Sequence, residues 1–219
     1  MFPVTLIQCP IFEQIHDLQR GNPASPLLIE RLYSKDPVVR RHAAYALSES
    51  GDPGLIPHIK NIAEDRSGYV RKQAVTMGFS LPDKNFAGIR EVLVSLLSDP
   101  FINIRTAAAF CFARRKDPVC ALPLLELVQN DELDSGKHSG TVQAIQNLTG
   151  SSFGYSSGPG ASRPQTPGNK KATRRFAAWI EKNIPDAGLI YKEDKIWTRE
   201  MLKKKRGRTG NRRHKRSEQ

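Results

Sequence analysis

The 219-residue sequence predicts an all-α protein: an α-solenoid of about four stacked helix pairs, closed by a capping C-terminal helix and followed by a disordered basic tail. Three observations predict it. A β-branched residue, an arginine and, three positions on, an alanine recur as Val39-Arg40 with Ala43, Val70-Arg71 with Ala74 and Ile104-Arg105 with Ala108, at spacings of 31 and 34 residues. A period in that range marks an array of stacked helical units. Counting from the β-branched residue, the apolar sites fall at plus four, seven and eight: Val39, Ala43, Ala46 and Leu47 in the first copy, Ile104, Ala108, Cys111 and Phe112 in the third. These positions share one stripe of a helix. An apolar segment long enough for two or three turns precedes each such helix, at 27–32, 55–62 and 89–97, and a fourth lies at 122–128.

The elements follow in order. Residues 1–25 contain an amphipathic helix at 10–20, with Ile11, Phe12, Ile15 and Leu18 at helical spacing and Gly21 past its end. Such an atypical element covers the apolar face that a terminal unit would expose. In the first pair Asp36 reads as an N-cap with Pro37 at the first helical position. Gly51-Asp52-Pro53-Gly54 then breaks the chain. In the second pair Ser67 takes the capping place, and Gly78 stands where Leu47 and Phe112 stand in the other copies. That site is expected to pack less tightly, or against something else. The third pair departs at its start, with Phe101 at the cap and Asp99-Pro100 two residues earlier. In the fourth, Asp134 falls at the cap and His138 at the arginine position, with Thr141 and Ile145 for alanine and leucine. Gly136 and Gly140 weaken the intrinsic helix propensity there.

Turn, arginine and alanine recurring together over residues 26–155 resemble HEAT repeats, especially the short bacterial HEAT-like repeats of the phycobilisome-lyase type. Leu148-Thr149-Gly150-Ser151-Ser152-Phe153-Gly154-Tyr155 resembles the end of such repeat regions, which lead through a variable linker to a last helix containing Trp. The resemblance implies an α-solenoid in which aspartates and arginines of successive repeats hydrogen-bond along the stack. Here that ladder uses Asp65, Asp99, Arg40, Arg71 and Arg105, with Ser34 in place of the first aspartate. Residues 156–169 read as a flexible Gly/Ser/Pro linker. Residues 170–198 read as the capping helix, with Phe176, Trp179 and Ile180 on one side, and a hairpin that is marginal unless it packs on that helix. Phe153, Tyr155, Phe176 and Trp179 are expected to seal the C-terminal end.

Composition narrows the function. An apolar content of 38% in 219 residues fits one domain with appendages, and no apolar run reaches the length of a membrane span. The first ten residues lack the basic and long apolar regions of a signal peptide, so a cytoplasmic location is expected. Cys9, Cys111 and Cys120 show no metal spacing and read as thiols, the latter two buried in helices. The five histidines have no ligand spacing, and neither a phosphate loop nor a nucleophile elbow occurs. No metal, cofactor or catalytic residue is therefore expected, and His42 reads as a surface residue. The chain reads as a non-enzymatic protein–protein interaction scaffold, presenting a curved helical surface to a protein partner. Bilin lyases and certain DNA glycosylases use HEAT-like scaffolds, but that analogy is of fold alone, and Trp179 and Trp197 lie after the repeats.

Charge supplies the alternative. Of a formal +12, residues 199–219 carry ten Lys/Arg against Glu200 and Glu218. Lys203, Lys204, Lys205, Arg206 and Arg208, then Arg212, Arg213, Lys215 and Arg216, form two clusters able to neutralise RNA or DNA phosphates without fixed geometry. Beside the repeat arginines, Arg41, Lys72, Arg90, Arg114 and Arg115 make one surface modestly basic, although a solvated face is the usual meaning of such charges.

Overall fold

The computed structural model describes residues 26–130, 134–155, 166–192, 195–199 and 201–203. The expected helix at 10–20, Cys9, most of the linker and the chain from Lys204 onward lie outside the described residues. The fold class is all-α, with helix pairs succeeding one another as in an α-solenoid; the sheet among the described residues is one two-stranded hairpin. The chain divides into two compact units, one up to Cys111 and one from Phe112.

In the first unit α1 (Pro26–Arg31) pairs with α2 (Pro37–Ser48), and α3 (Ile56–Ala63) with α4 (Gly68–Ser80). The short α5 (Asp83–Phe86) and α6 (Arg90–Leu96) precede α7 (Ile102–Arg114). Asp36 caps α2 by accepting the Val38 N–H at 2.8 Å, and Pro37 costs nothing at the first helical position. Ser67 stands at the N-cap of α4 but its side chain makes no capping bond. The turn aspartates act instead: Asp65 accepts the Ser67 N–H at 2.7 Å, and Asp99 accepts the Phe101 N–H at 2.8 Å. The third helix start therefore tolerates Phe101 at the cap, because the fixing group sits two residues earlier.

The stripe Val39, Ala43, Ala46 and Leu47 is buried, as are its counterparts Val70, Ala74, Ile104, Ala108 and Cys111. The alanines let helix backbones approach while the larger residues fill the flanks. Gly78 departs from expectation. A Cβ there would stand 2.6 Å from Leu93 Cδ1 and 3.2 Å from Cys111 Sγ. The site is filled rather than loosened, because side chains from α6 and α7 reach the backbone of α4.

In the second unit a 3₁₀ turn (Pro118–Cys120), started by Asp117 accepting the Val119 N–H, leads into α8 (Ala121–Val128). Next comes α9 (Ser135–Thr149), capped by Asp134 accepting the Lys137 N–H and ended by Gly150 at φ +76°, a left-handed conformation that glycine adopts freely. After it come α10 (Pro167–Asn183) and the antiparallel pair β1 (Ile190–Lys192) and β2 (Lys195–Trp197). Phe176 lies against Phe153 and Trp179, at ring-centroid distances of 5.6 and 6.2 Å, and the Tyr155 hydroxyl donates to Thr173 Oγ1 at 2.9 Å. The hairpin is held from the end of α8. Gln129 Oε1 accepts the Ile196 N–H at 2.8 Å, and Gln129 Nε2 donates to the Ile196 carbonyl at 3.0 Å, so one side-chain amide does the work of a third strand. Packing continues beyond residue 198, since Met201 is buried.

Candidate interaction surface

Each repeat arginine joins its own turn to the next. Arg40 donates to the Ser34 and Lys35 carbonyls at 2.9 and 3.1 Å, and bidentately to Asp65 at 2.6 and 3.0 Å. Arg71 repeats this with the Asp65 and Arg66 carbonyls at 2.9 and 3.2 Å and with Asp99 at 2.7 and 3.1 Å. Arg105 donates to the Asp99 and Pro100 carbonyls, and among the described residues it meets no carboxylate. The position six before His138, equivalent to Asp65 and Asp99, holds Glu132, which lies outside the described residues. Ser34 stands at that position in the first turn, where it contributes its carbonyl and accepts the Asp36 N–H. His138, at the arginine register of the fourth pair, is fully buried and makes no such bond.

The ladder is nearly closed to water, with side-chain exposures of 16% for Arg40 and 9% for Asp65, and 13% for Arg71 and 2% for Asp99. Burial pushes the Asp65 carboxyl up, but hydrogen bonds from Arg40 and the Ser67 N–H, with the charges of Arg40 and Arg71, outweigh it and hold it below the usual range. Nε, both Nη1 hydrogens and one Nη2 hydrogen of Arg40 and Arg71 are engaged, so these arginines offer no two-pronged edge to a ligand. They tie turn to turn.

What remains for recognition is the exposed face. Of the large hydrophobic residues exposed among those described, Leu27, Tyr33, Val38, Tyr45, Tyr69 and Phe101 lie in the first unit and Tyr191 alone in the second. Several are held in place. The Arg41 guanidinium sits 5.0 Å from the Tyr69 ring centre, and that of Arg71 5.6 Å from Phe101. Phe101 settles there because Gly68 has no side chain; a Cβ at Gly68 would lie 3.0 Å from the ring. The Tyr33 hydroxyl is 2.9 Å from His58 Nδ1, and Glu49 accepts the Tyr45 hydroxyl, which raises the pKa of that phenol. His42 is half-buried rather than fully at the surface, and burial, then the charge of Arg41, lower its pKa.

Spacing alone does not single out Tyr69 and Phe101. Phe101 reads as a misplaced cap, and the pairing of Arg41 with Tyr69 joins different registers of two copies. The available signal was the position two before the first two repeat arginines, where Val38 and Tyr69 are apolar although the buried stripe does not reach it. Of the tail candidates, Lys203 is described and exposed; Lys204, Lys205, Arg206, Arg208, Arg212, Arg213, Lys215 and Arg216 lie outside the described residues.

Other features offer little chemistry. An indentation lined by Leu47, Leu55, Ile59, Met77 and Leu81 has no interior space for a water molecule. Among the described residues no three His, Cys, Asp or Glu side chains group as a metal site, and no helix is long and apolar enough to cross a membrane.

With this geometry in view, the comparison with protein families becomes specific. The family model described as HEAT repeats matches residues 15–80. The HEAT-matched segment thus spans α1 to α4, including the Arg40–Asp65 bridge, Arg71 and the Arg41–Tyr69 contact. No curated protein matches the chain.

Proposed function

We propose that this chain is a non-enzymatic interaction scaffold: a HEAT-repeat protein whose helical surface binds a protein partner. One observation carries the reading. Six of the seven exposed large apolar side chains lie in the first unit, on the helices that form the repeat core and on the turns between them. Tyrosine and arginine are the residues that most often anchor protein interfaces, and here they meet on an exposed face. Kinship with the phycobilisome-lyase-type repeats belongs to this proposal and rests on the Leu148 to Tyr155 sequence. So does a cytoplasmic location, which the buried cysteines Cys111 and Cys120, outside any disulfide, support. The test is affinity capture by the full chain from lysate with and without nuclease treatment, followed by reconstitution of the complex from purified components. The expected result is a saturable protein complex; capture of nucleic acid alone, or failure to reconstitute, would overturn the reading.

A second reading, nucleic-acid association through the tail, is favoured by the ten Lys/Arg against two Glu in residues 199–219. Both activities can reside in one chain, because the arginine–aspartate ladder and the Arg41–Tyr69 contact belong to the first unit and the tail does not.

A further inference from the structure

The exposed cations and apolar groups of the first unit are arranged by the repeat. Five positions before the repeat arginine stand Lys35 and Arg66; two before it, Val38 and Tyr69; one after it, Arg41 and Lys72. All six are exposed. They form two equivalent sets at the starts of α2 and α4, where the helix dipoles add partial positive charge. The third copy has Pro100, Asn103 and Thr106 at these positions, so the cationic pattern stops after two repeats. The Phe101 ring, seated on Gly68, adds one more apolar surface.

This edge carries an excess of positive charge, its four cations facing Asp36 and Glu64. Among the described residues Lys35, Arg66, Arg41 and Lys72 have no carboxylate partner. Of the nearby acids, Asp65 and Asp99 are engaged by the ladder, Asp36 by the Val38 N–H and Glu49 by the Tyr45 hydroxyl, while Glu64 is exposed two residues before Arg66. The Arg41 guanidinium is pre-oriented on the Tyr69 ring, leaving its N–H edge for a bidentate carboxylate. Tyr69 is 69% exposed, so ring surface remains open to an apolar side chain.

We infer that the α2–α4 edge is a docking site for an acidic peptide segment of a protein partner, with carboxylates bound by Arg41 and Lys72 and an apolar side chain against Tyr69. This deepens the scaffold reading and rests on it. The two anchors occupy equivalent places on adjacent packed helices, whose axes run about 8–10 Å apart. In an extended chain the side chains at i, i+2 and i+4 share a face, and i to i+4 spans about 13 Å, within reach of the long Arg41 and Lys72 side chains, so the segment carries Asp or Glu at i and i+4 with an apolar residue at i+2. A peptide fits better than a nucleic-acid strand. Aliphatic Val38 interrupts the cations and gives no stacking platform, and a strand needs a charged track that runs on.

A phage-displayed random 12-residue library panned on the full chain tests this, with fluorescence anisotropy of the enriched peptides, and of oligo(dT) of about 20 nucleotides, on variants. The expected enrichment is an acidic pair four apart around an apolar residue, all three on one face of an extended segment. Binding should weaken at least about tenfold in R41E/K72E and several-fold in Y69A. It should stay within about twofold in R31E/K60E, which alters exposed cations on α1 and α3 outside the edge. Unchanged thermal unfolding by circular dichroism would establish that the variants fold. Peptides insensitive to R41E/K72E, enrichment of neutral or basic sequences, or no enrichment would overturn the inference, as would oligo(dT) binding that R41E/K72E abolishes while peptides do not bind. The scaffold reading is judged separately by reconstitution, so a reconstituted complex indifferent to R41E/K72E would remove this site and leave that reading standing.

Discussion

His138 shows how one residue can depart from its register and gain another role. Its place in the fourth pair is that of the ladder arginines, yet it is fully buried, both ring nitrogens lack a hydrogen-bond partner, and the ring meets Tyr155 edge-on at 6.5 Å. Burial lowers its pKa, so the neutral ring is the folded form. The unfolded chain takes up a proton near the ordinary value of about 6.5, and below that pH it binds more protons than the folded chain. Stability is therefore full above about pH 6.5 and falls as the solution is acidified, until the folded ring also protonates. His138→Leu removes both the unpaired nitrogens and the titration. We expect it to raise stability by about 1 kcal/mol at pH 7, since a buried unpaired polar group costs about 1–3 kcal/mol. It should also flatten the dependence of stability on pH between 7 and 5, measured by urea unfolding. A destabilised variant with the wild-type pH slope would assign the slope to other groups.

At the scale of the element, one stripe position is solved in opposite ways. Leu47 on α2 is fully buried, and Gly78 on α4 holds the equivalent place with Leu93 and Cys111 pressed against it. Leu47→Ala leaves a cavity and should cost about 2–5 kcal/mol. Gly78→Ala adds a methyl where Leu93 Cδ1 would lie 2.6 Å away, so overpacking of about 1–3 kcal/mol opposes a helix-propensity gain of about 1 kcal/mol. The net effect should be a smaller loss, and Leu93→Ala, which leaves a cavity at a fully buried site, should cost less in that variant than in the wild type. Denaturant midpoints for the single and double variants measure this; additive losses would mean Gly78 and Leu93 do not share the site. Helix periodicity made the stripe at Leu47 legible in the sequence. It could not reveal the packing at Gly78, because which neighbour fills a gap depends on side chains 15 and 33 residues away in the chain.

For the molecule as a whole, the repeat units were legible because a turn, an arginine and an alanine recur at nearly constant spacing. The surface was less so, because the Arg41–Tyr69 contact arises only when copies stack. The end of the folded part was also hard to read: the basic run begins at Arg199, but Met201 is buried, and Gln129 grips Ile196. This decides how the tail is tested. Ending the chain before Ile196 would remove β2 and take from Gln129 Oε1 the Ile196 N–H it accepts, mixing a folding defect with lost charge. A chain ending at Lys203 keeps the hairpin and Met201 while deleting eight of the ten basic residues of the stretch from Arg199. If the full chain engages about five phosphates of duplex DNA, the log–log slope of affinity against salt is near −4.5. The shortened chain should lose that binding and its salt dependence, with unfolding unchanged. Because phosphate contacts carry little sequence information, duplexes of different sequence should bind the full chain alike. Equal DNA affinity for both chains would sink the tail reading and move any nucleic-acid contact onto the helical units.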